Sequence, residues 1–387
     1  MSKSLTISLS KSFAGSELRS LAGQSGVPGR AAGSPRGQPA WGAGSRLGCH
    51  PRRGAMSRPR VLVLTSDALF PFFFPASVIG RLDEIADWSR FRERSDSPQL
   101  RELLAQSDAL LTTWHSPFLR AEMLGSNPRL RLIAHCGGEV KSRMDEEIFN
   151  RLIVTNAPGP MAAPVAEMAL ALTLALVRRL PQYERMMRAG GNVNNEQASV
   201  GETLLGRRLG VVGMGRIGRA FAQLVQPFDI ELYIADPYCS PDAAASHRAK
   251  LVSLDELLKL CSVVVLAAGL TPETRNMIEA RRLRLMPDGA YLINIARGGL
   301  IDMEALLREL RSGRITAALD VTDPLEPLPL DHELRRLPNV LLTPHVAAGG
   351  VEVRREMGAI AVAEVGRFFR GEQPLNVVTR EMLETMT

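Results

Sequence analysis

"RRLGVVGMGRIGRAFAQLV", residues 207–225, decides how the rest of the chain is read. Leu209–Val212 is a short apolar run, suited to a buried strand. Gly213, Gly215 and Gly218 follow at G-x-G-x-x-G spacing, and a helical stretch follows them. In such a turn the first glycine permits the tight bend. The second lets the backbone approach a pyrophosphate, and the third lets the helix pack on the strand. Glycine-rich turns are common, so the spacing needs its context. The next apolar run, "IELYIADP", ends in Asp236, 18 residues beyond Gly218. A carboxylate there can bind both ribose hydroxyls and would repel a 2′-phosphate. The unit is expected to bind a dinucleotide, NAD rather than NADP, through Gly213, Gly215, Arg216, Ile217, Gly218 and Asp236.

On either side the chain alternates apolar runs with helical stretches. "ALLTTW", "LRLIAHC" and "LIVTNAP" precede the glycine turn, and "CSVVVLAAGL", "GAYLINIARG", "ITAALDVTDP" and "NVLLTPH" follow it. Such alternation predicts an α/β fold with parallel sheets. Ligands of open parallel sheets sit beyond the carboxyl ends of the strands. Thr271, Arg297, Asp320, Asp323, Glu326 and His345 lie on those loops. "GPMAAPVAEMALALTLALVRRL", residues 159–180, reads as one long helix, apolar almost all round and so expected to be buried on both sides. Packing against a second subunit is one way to bury it.

The chain has 387 residues, 45% hydrophobic and 23% charged, which is ordinary for a soluble globular protein with two cores. Its net charge of +6 is concentrated at the start. Residues 1–55 hold eight of the 47 Lys/Arg and one of the 41 acids, leaving 39 basic and 40 acidic residues for the rest. The body is near neutral, and no nucleic-acid-binding face is indicated. This Gly/Pro/Ser/Arg-rich leader is expected to be disordered, and Met56, directly before the first strand-like run, is a candidate biological start. An organelle transit peptide is the alternative. Four scattered cysteines suit a reducing cytoplasm rather than a disulfide framework, and none stands at zinc-binding spacing. No metal is expected. No apolar run is read as reaching membrane length, so no membrane partner is expected.

"VVGMGRIGRAFA", "LTPETRNMI", "LMPDGAYLINIARGGLID", "GRITAALDV" and "LPNVLLTPHVA" together resemble the D-isomer-specific 2-hydroxyacid dehydrogenase family, in the family's order. The resemblance covers about residues 58–378 and is most specific over 205–347. It implies two Rossmann/flavodoxin-like, doubly wound parallel-sheet domains with an active-site cleft between them. An NAD-binding domain would span 159–348. A substrate domain would span 56–158 and be completed by 349–387. The resemblance also implies a homodimer through the helix near 160–180, and a catalytic set of Arg297, Glu326 and His345. Thr271, Ala296 and Asp320 join the cofactor contacts, and Gly137, Gly138, Trp114 and Arg297 face the substrate. His115, beside Trp114, is a further candidate substrate contact.

Three departures qualify this. "DVTDPLEPLP" has one more residue than the family's spacing, so Glu326 takes the acid role, with Asp323 as the alternative. "LAAGLTPET" lacks the His and Pro often found before Leu-Thr-Pro. "AHCGGEVKSRMD" stands where the family usually has Ala-Gly-x-Gly and a following Asp.

The residue types fit the chemistry. A planar guanidinium can bind carboxylate and carbonyl oxygens together. An imidazole can give and take a proton near neutrality, and a carboxylate beside it orients the ring. The expected activity interconverts a small D-2-hydroxy acid and its 2-oxo acid. Glyoxylate or hydroxypyruvate is the first candidate. 3-Phosphoglycerate ranks lower, because no regulatory domain follows residue 387. The alternative is a non-catalytic, NAD(H)-sensing corepressor-like protein. Formate oxidation has less support, since that branch lacks the Glu beside its His.

Overall fold

The computed structural model describes residues 58–191 and 200–386; the leader 1–55 and Cys49 lie outside them. Among the described residues, thirteen strands form two sheets. The first contains β1 (Arg60–Leu64), β2 (Asp87–Phe91), β3 (Ala109–Thr112), β4 (Leu132–His135), β5 (Ile153–Thr155) and β13 (Val377–Val378). The second contains β6 (Arg207–Val212), β7 (Ile230–Ala235), β8 (Ala249–Leu251), β9 (Val263–Leu266), β10 (Tyr291–Asn294), β11 (Thr316–Leu319) and β12 (Val340–Leu342). The first sheet runs β13-β5-β4-β3-β1-β2 and the second β12-β11-β10-β9-β6-β7-β8. These are two doubly wound α/β domains.

The central strands are apolar almost without a break, because helices cover both faces of a parallel sheet. β3, β4, β9 and β10 are buried at every position. All pairings are parallel except β13, which runs antiparallel to β5 with Val377 opposite Thr155 and Val378 opposite Val154. β2, β8 and β13 are strands that apolar runs alone do not announce, since "DWSRF" is interrupted by polar residues and "AKL" and "VV" are only three and two residues long.

The 159–180 segment differs from its sequence reading. A helix runs Ala162–Val177, and Arg179 then enters the left-handed region at φ 54. A second helix, Leu180–Arg188, starts there. Val165, Ala166, Ala169, Leu172, Thr173, Leu176 and Val177 form a buried stripe in the core of the second domain. Ala163, Glu167 and Ala171, on the other face, are exposed. Within one chain the helix is therefore buried on one side. Gly159–Val177, 19 residues with a mean hydropathy of 1.7, is also long and apolar enough to cross a membrane, contrary to the sequence reading. Its buried stripe against the domain core marks it as a core helix.

The helix Val351–Phe369 returns to the first domain, where Val353, Met357, Ala361, Val362 and Val365 pack with Val61, Val63, Phe73 and Phe74. At Gly358 an added Cβ would lie 1.9 Å from the Phe73 carbonyl oxygen, so only glycine permits this approach.

Candidate active site

Strand order in the second sheet reverses at β6, which has β7 on one side and β9 on the other. The crevice beyond such a reversal is where nucleotides bind in this architecture. Gly213 ends β6 at φ 94, and a Cβ there would lie 2.6 Å from the Ala268 backbone. A Cβ on Gly218 would meet the Gly213 carbonyl oxygen at 2.1 Å. Gly215 differs: nothing lies within 4 Å of its missing side chain. It caps the helix Arg216–Leu224 without any side-chain hydrogen bond, so open space meets the free N–H groups of that first turn. This cradle suits a pyrophosphate, and the residues present fit NAD. Arg216 is exposed and Ile217 half-buried at the same turn. Asp236, just past β7, accepts hydrogen bonds from Met214 N (2.5 Å) and Tyr238 N (2.7 Å), which fixes it beside the glycine turn.

The loops after β10, β11 and β12 carry the other candidates. Asn294 is fully buried; its Oδ1 accepts from Ala296 N (3.1 Å) and its Nδ2 donates to Arg297 O (2.9 Å). These bonds fix the loop from which Arg297 projects. Burial pushes the Arg297 guanidinium below its ordinary pKa. Glu139 and Glu326 oppose that shift, and Arg143 adds to it. Arg297 of the second domain thus faces charges on the 137–143 loop of the first.

His345 Nδ1 lies 3.0 Å from Glu326 Oε1. The alternative acid, Asp323, instead faces Arg275 at 3.4 Å. Leu325, the residue at the family's expected count, is 47% exposed. Glu326, rather than Asp323, is therefore the acid in contact with His345. His345 sits at φ 53, an uncommon conformation for a non-glycine residue. Asp320 holds it there. The Asp320 carboxylate, 1% exposed, accepts from Thr343 Oγ1 (2.6 Å), Val346 N (3.0 Å) and Ala347 N (3.0 Å). The Asp320 carbonyl accepts from His345 N at 2.9 Å. Thr271 is engaged with its own turn, its N–H donating to Thr274 Oγ1 at 2.7 Å.

In the first domain, Gly137 O accepts from Ala157 N (2.7 Å) and Gly138 O from Asn156 Nδ2 (2.6 Å). Among the described residues, neither glycine N–H has an acceptor. A Cβ on Gly137 would lie 2.4 Å from His135 Nε2 and 2.8 Å from Trp114 Nε1, so glycine is required there. His135, which the sequence reading passed over, is buried on β4 with Thr112 Oγ1 2.9 Å from its Nδ1. Burial, reinforced by Arg143, pushes its pKa down to about 3, so it stays neutral. Trp114 stands edge-on to Phe73, and Ser66 Oγ lies 2.8 Å from His115 Nδ1. Burial lowers the His115 pKa, and Arg94, Arg143 and Arg354 lower it further.

Comparison with known proteins places the chain in a family. Residues 170–347 match the family model described as "D-isomer specific 2-hydroxyacid dehydrogenase, NAD binding domain". The chain is 33% identical over 337 residues to a glyoxylate reductase of Thermofilum pendens, covering 85% of this chain and 97% of that protein. It is 35% identical over 308 residues to a glyoxylate reductase of Thermococcus onnurineus, covering 78% and 91%. A solved 2-hydroxyacid dehydrogenase from Ketogulonicigenium vulgare superposes with a TM-score of 0.72 at 27% identity, covering 84% of this chain and 99% of that one. The chain belongs to the D-isomer-specific 2-hydroxyacid dehydrogenase family. It is an NAD-dependent enzyme that interconverts hydroxy and oxo acids.

Proposed function

We propose that the enzyme interconverts a small D-2-hydroxy acid and its 2-oxo acid, with His345 as the acid–base group, Glu326 orienting it and Arg297 binding the substrate carboxylate. The observation that carries this is the 3.0 Å contact between His345 and Glu326, with the half-buried Arg297 guanidinium in electrostatic reach of Glu326. Bound NAD supplies or accepts a hydride at its nicotinamide. Reduction adds that hydride to C2 and a proton to the carbonyl oxygen. Because Nδ1 of His345 is committed to Glu326, Nε2 is left to deliver the proton, and oxidation returns it there. The charged Arg297 fork binds the carboxylate and polarises the carbonyl. The unpaired Gly137 and Gly138 N–H groups offer further donors to the substrate carboxylate.

Glyoxylate and hydroxypyruvate are the first substrates to try, since two curated relatives are glyoxylate reductases. Loss of nicotinamide absorbance should be followed with each acid, for wild type and His345→Ala. Turnover that falls about 10²–10⁴-fold in the variant, with NADH still bound, is the expected result. An NADH-binding wild type that turns over no 2-oxo acid would instead favour the sensor reading. A homodimer through the outward face of the Ala162–Val177 helix completes this reading, and light scattering at two concentrations tests it.

A further inference from the structure

The proposed reaction engages Arg297, Glu326 and His345, yet further cations gather beside them. Arg143, on the loop after β4, donates from Nη1 to the Trp114 carbonyl at 3.1 Å. Arg354, in the first turn of the helix Val351–Phe369, lies 5.5 Å from the Trp114 ring centroid and 5.4 Å from that of Phe72. Its Nη2 is 3.5 Å from where a Cβ on Gly349 would sit, so it reaches the loop that follows His345. Arg94 is exposed and acts with these two on His115. Among the described residues, none of the three has a carboxylate within ion-pair distance. The Nε atoms of Arg143 and Arg354 are buried without an acceptor.

The nearby acids are committed elsewhere. Glu139 accepts from Ser142 N and Ser142 Oγ, both at 2.6 Å. Asp67 holds Arg90 at 2.6 Å. Arg354 over the Trp114 ring and Arg143 at the Trp114 carbonyl carry like charges that repel, and their buried donors left unpaired are costly. A bound anion relieves both.

Building on the proposed reaction, we propose that Arg143 and Arg354, with Arg94 at the rim, form a second anion subsite, so that the preferred substrate carries a second anionic group beyond C2, a carboxylate or a phosphate ester. His115, seated on Ser66 and among these arginines, offers one more polar contact there. The proposal ranks such acids above glyoxylate.

Calorimetry on the NAD-loaded enzyme with D-lactate, D-2-hydroxysuccinate and the 3-phosphate ester of D-glycerate tests it, with turnover measured alongside. At least one of the two doubly anionic acids should bind about 10- to 100-fold more tightly than D-lactate. Whichever acid gains identifies the group. The gain should shrink in Arg143→Gln and Arg354→Gln while NADH affinity holds. Exposed Arg94→Ala, expected to lose a few-fold of the gain, decides the matter if those variants do not fold. Equal binding of all three acids, or a gain that survives these substitutions, overturns the subsite. Turnover of D-lactate without any gain would remove the subsite and keep the proposed reaction. A gain without turnover of any acid would keep the subsite and remove the redox reading.

Discussion

Replacing Asp320 with Asn tests whether this carboxylate serves the His345 loop or the cofactor. Both of its oxygens are occupied, by Thr343 Oγ1, Val346 N and Ala347 N at 2.6, 3.0 and 3.0 Å. Asn keeps one acceptor and turns an NH₂ group toward donors that met the other. One charge-assisted hydrogen bond, worth about 1.5–3 kcal/mol, is lost and a buried N–H is left unpaired. The loop also carries His345 at φ 53, a conformation costing about 1–2 kcal/mol that it will relax once released. A net bias of about 2–3 kcal/mol against the observed loop corresponds to about 30- to 160-fold in population. kcat should fall by about that factor, because a relaxed His345 leaves Glu326. NADH affinity, read by nicotinamide fluorescence, should change less than about 3-fold on the same scale. Thr343→Val, which removes one hydroxyl donor, should cost about 5-fold in kcat. The reasoning fails if Asp320→Asn keeps kcat within about 3-fold, or if NADH affinity falls as far as kcat.

The glycine turn and a buried histidine give two further expectations. Gly215→Ala meets nothing within 4 Å, so thermal stability should hold within about 0.5 kcal/mol while NADH binding weakens at least about 10-fold. Gly218→Ala, 2.1 Å from the Gly213 carbonyl, should lower both stability and NADH binding. Unfolded His135 titrates near the ordinary value of about 6.5, whereas burial holds the folded side chain at about 3. Protons therefore favour the unfolded chain. The stability contributed by His135 is complete above about pH 6.5 and is lost as pH falls toward 3, by about 1.4 kcal/mol per unit. Unfolding free energies from urea titrations at pH 7 and pH 4.5 should differ by about 2–3 kcal/mol more in wild type than in His135→Gln. Parallel acid limbs would refute this.

The nucleotide fold was legible because two of its glycines answer backbone demands that glycine alone meets: a positive φ at Gly213, and the Gly213 carbonyl against Gly218. The Arg, Glu and His candidates were legible as strand-end residues. The extra residue in "DVTDPLEPLP" left two acids in play, and contacts from Arg275 and His345 were needed to separate them. The break at Arg179 was hidden because arginine advertises no left-handed preference. One-sided burial of the 162–177 helix was hidden because alanine and leucine populate both of its faces. His135, Arg143 and Arg354 escaped notice for a different reason. Each gains its meaning from Trp114 or Gly137, neighbours that only the folded chain supplies.

The antiparallel strand Val377–Val378 and the helix Val351–Phe369 belong to the sheet begun at Arg60, so that sheet is made from both ends of the described chain. The other sheet uses one uninterrupted stretch, Arg207–Leu342. During synthesis on a ribosome, the nucleotide-binding half can therefore close while the half begun at Arg60 still waits for its last helix and strand. Until that helix arrives, Phe73 and Phe74 lack the apolar partners that cover them, and Gly358 cannot seat against the Phe73 carbonyl. The nascent half begun at Arg60 is thus the described part of this molecule that exposes apolar core longest and has most need of a chaperone.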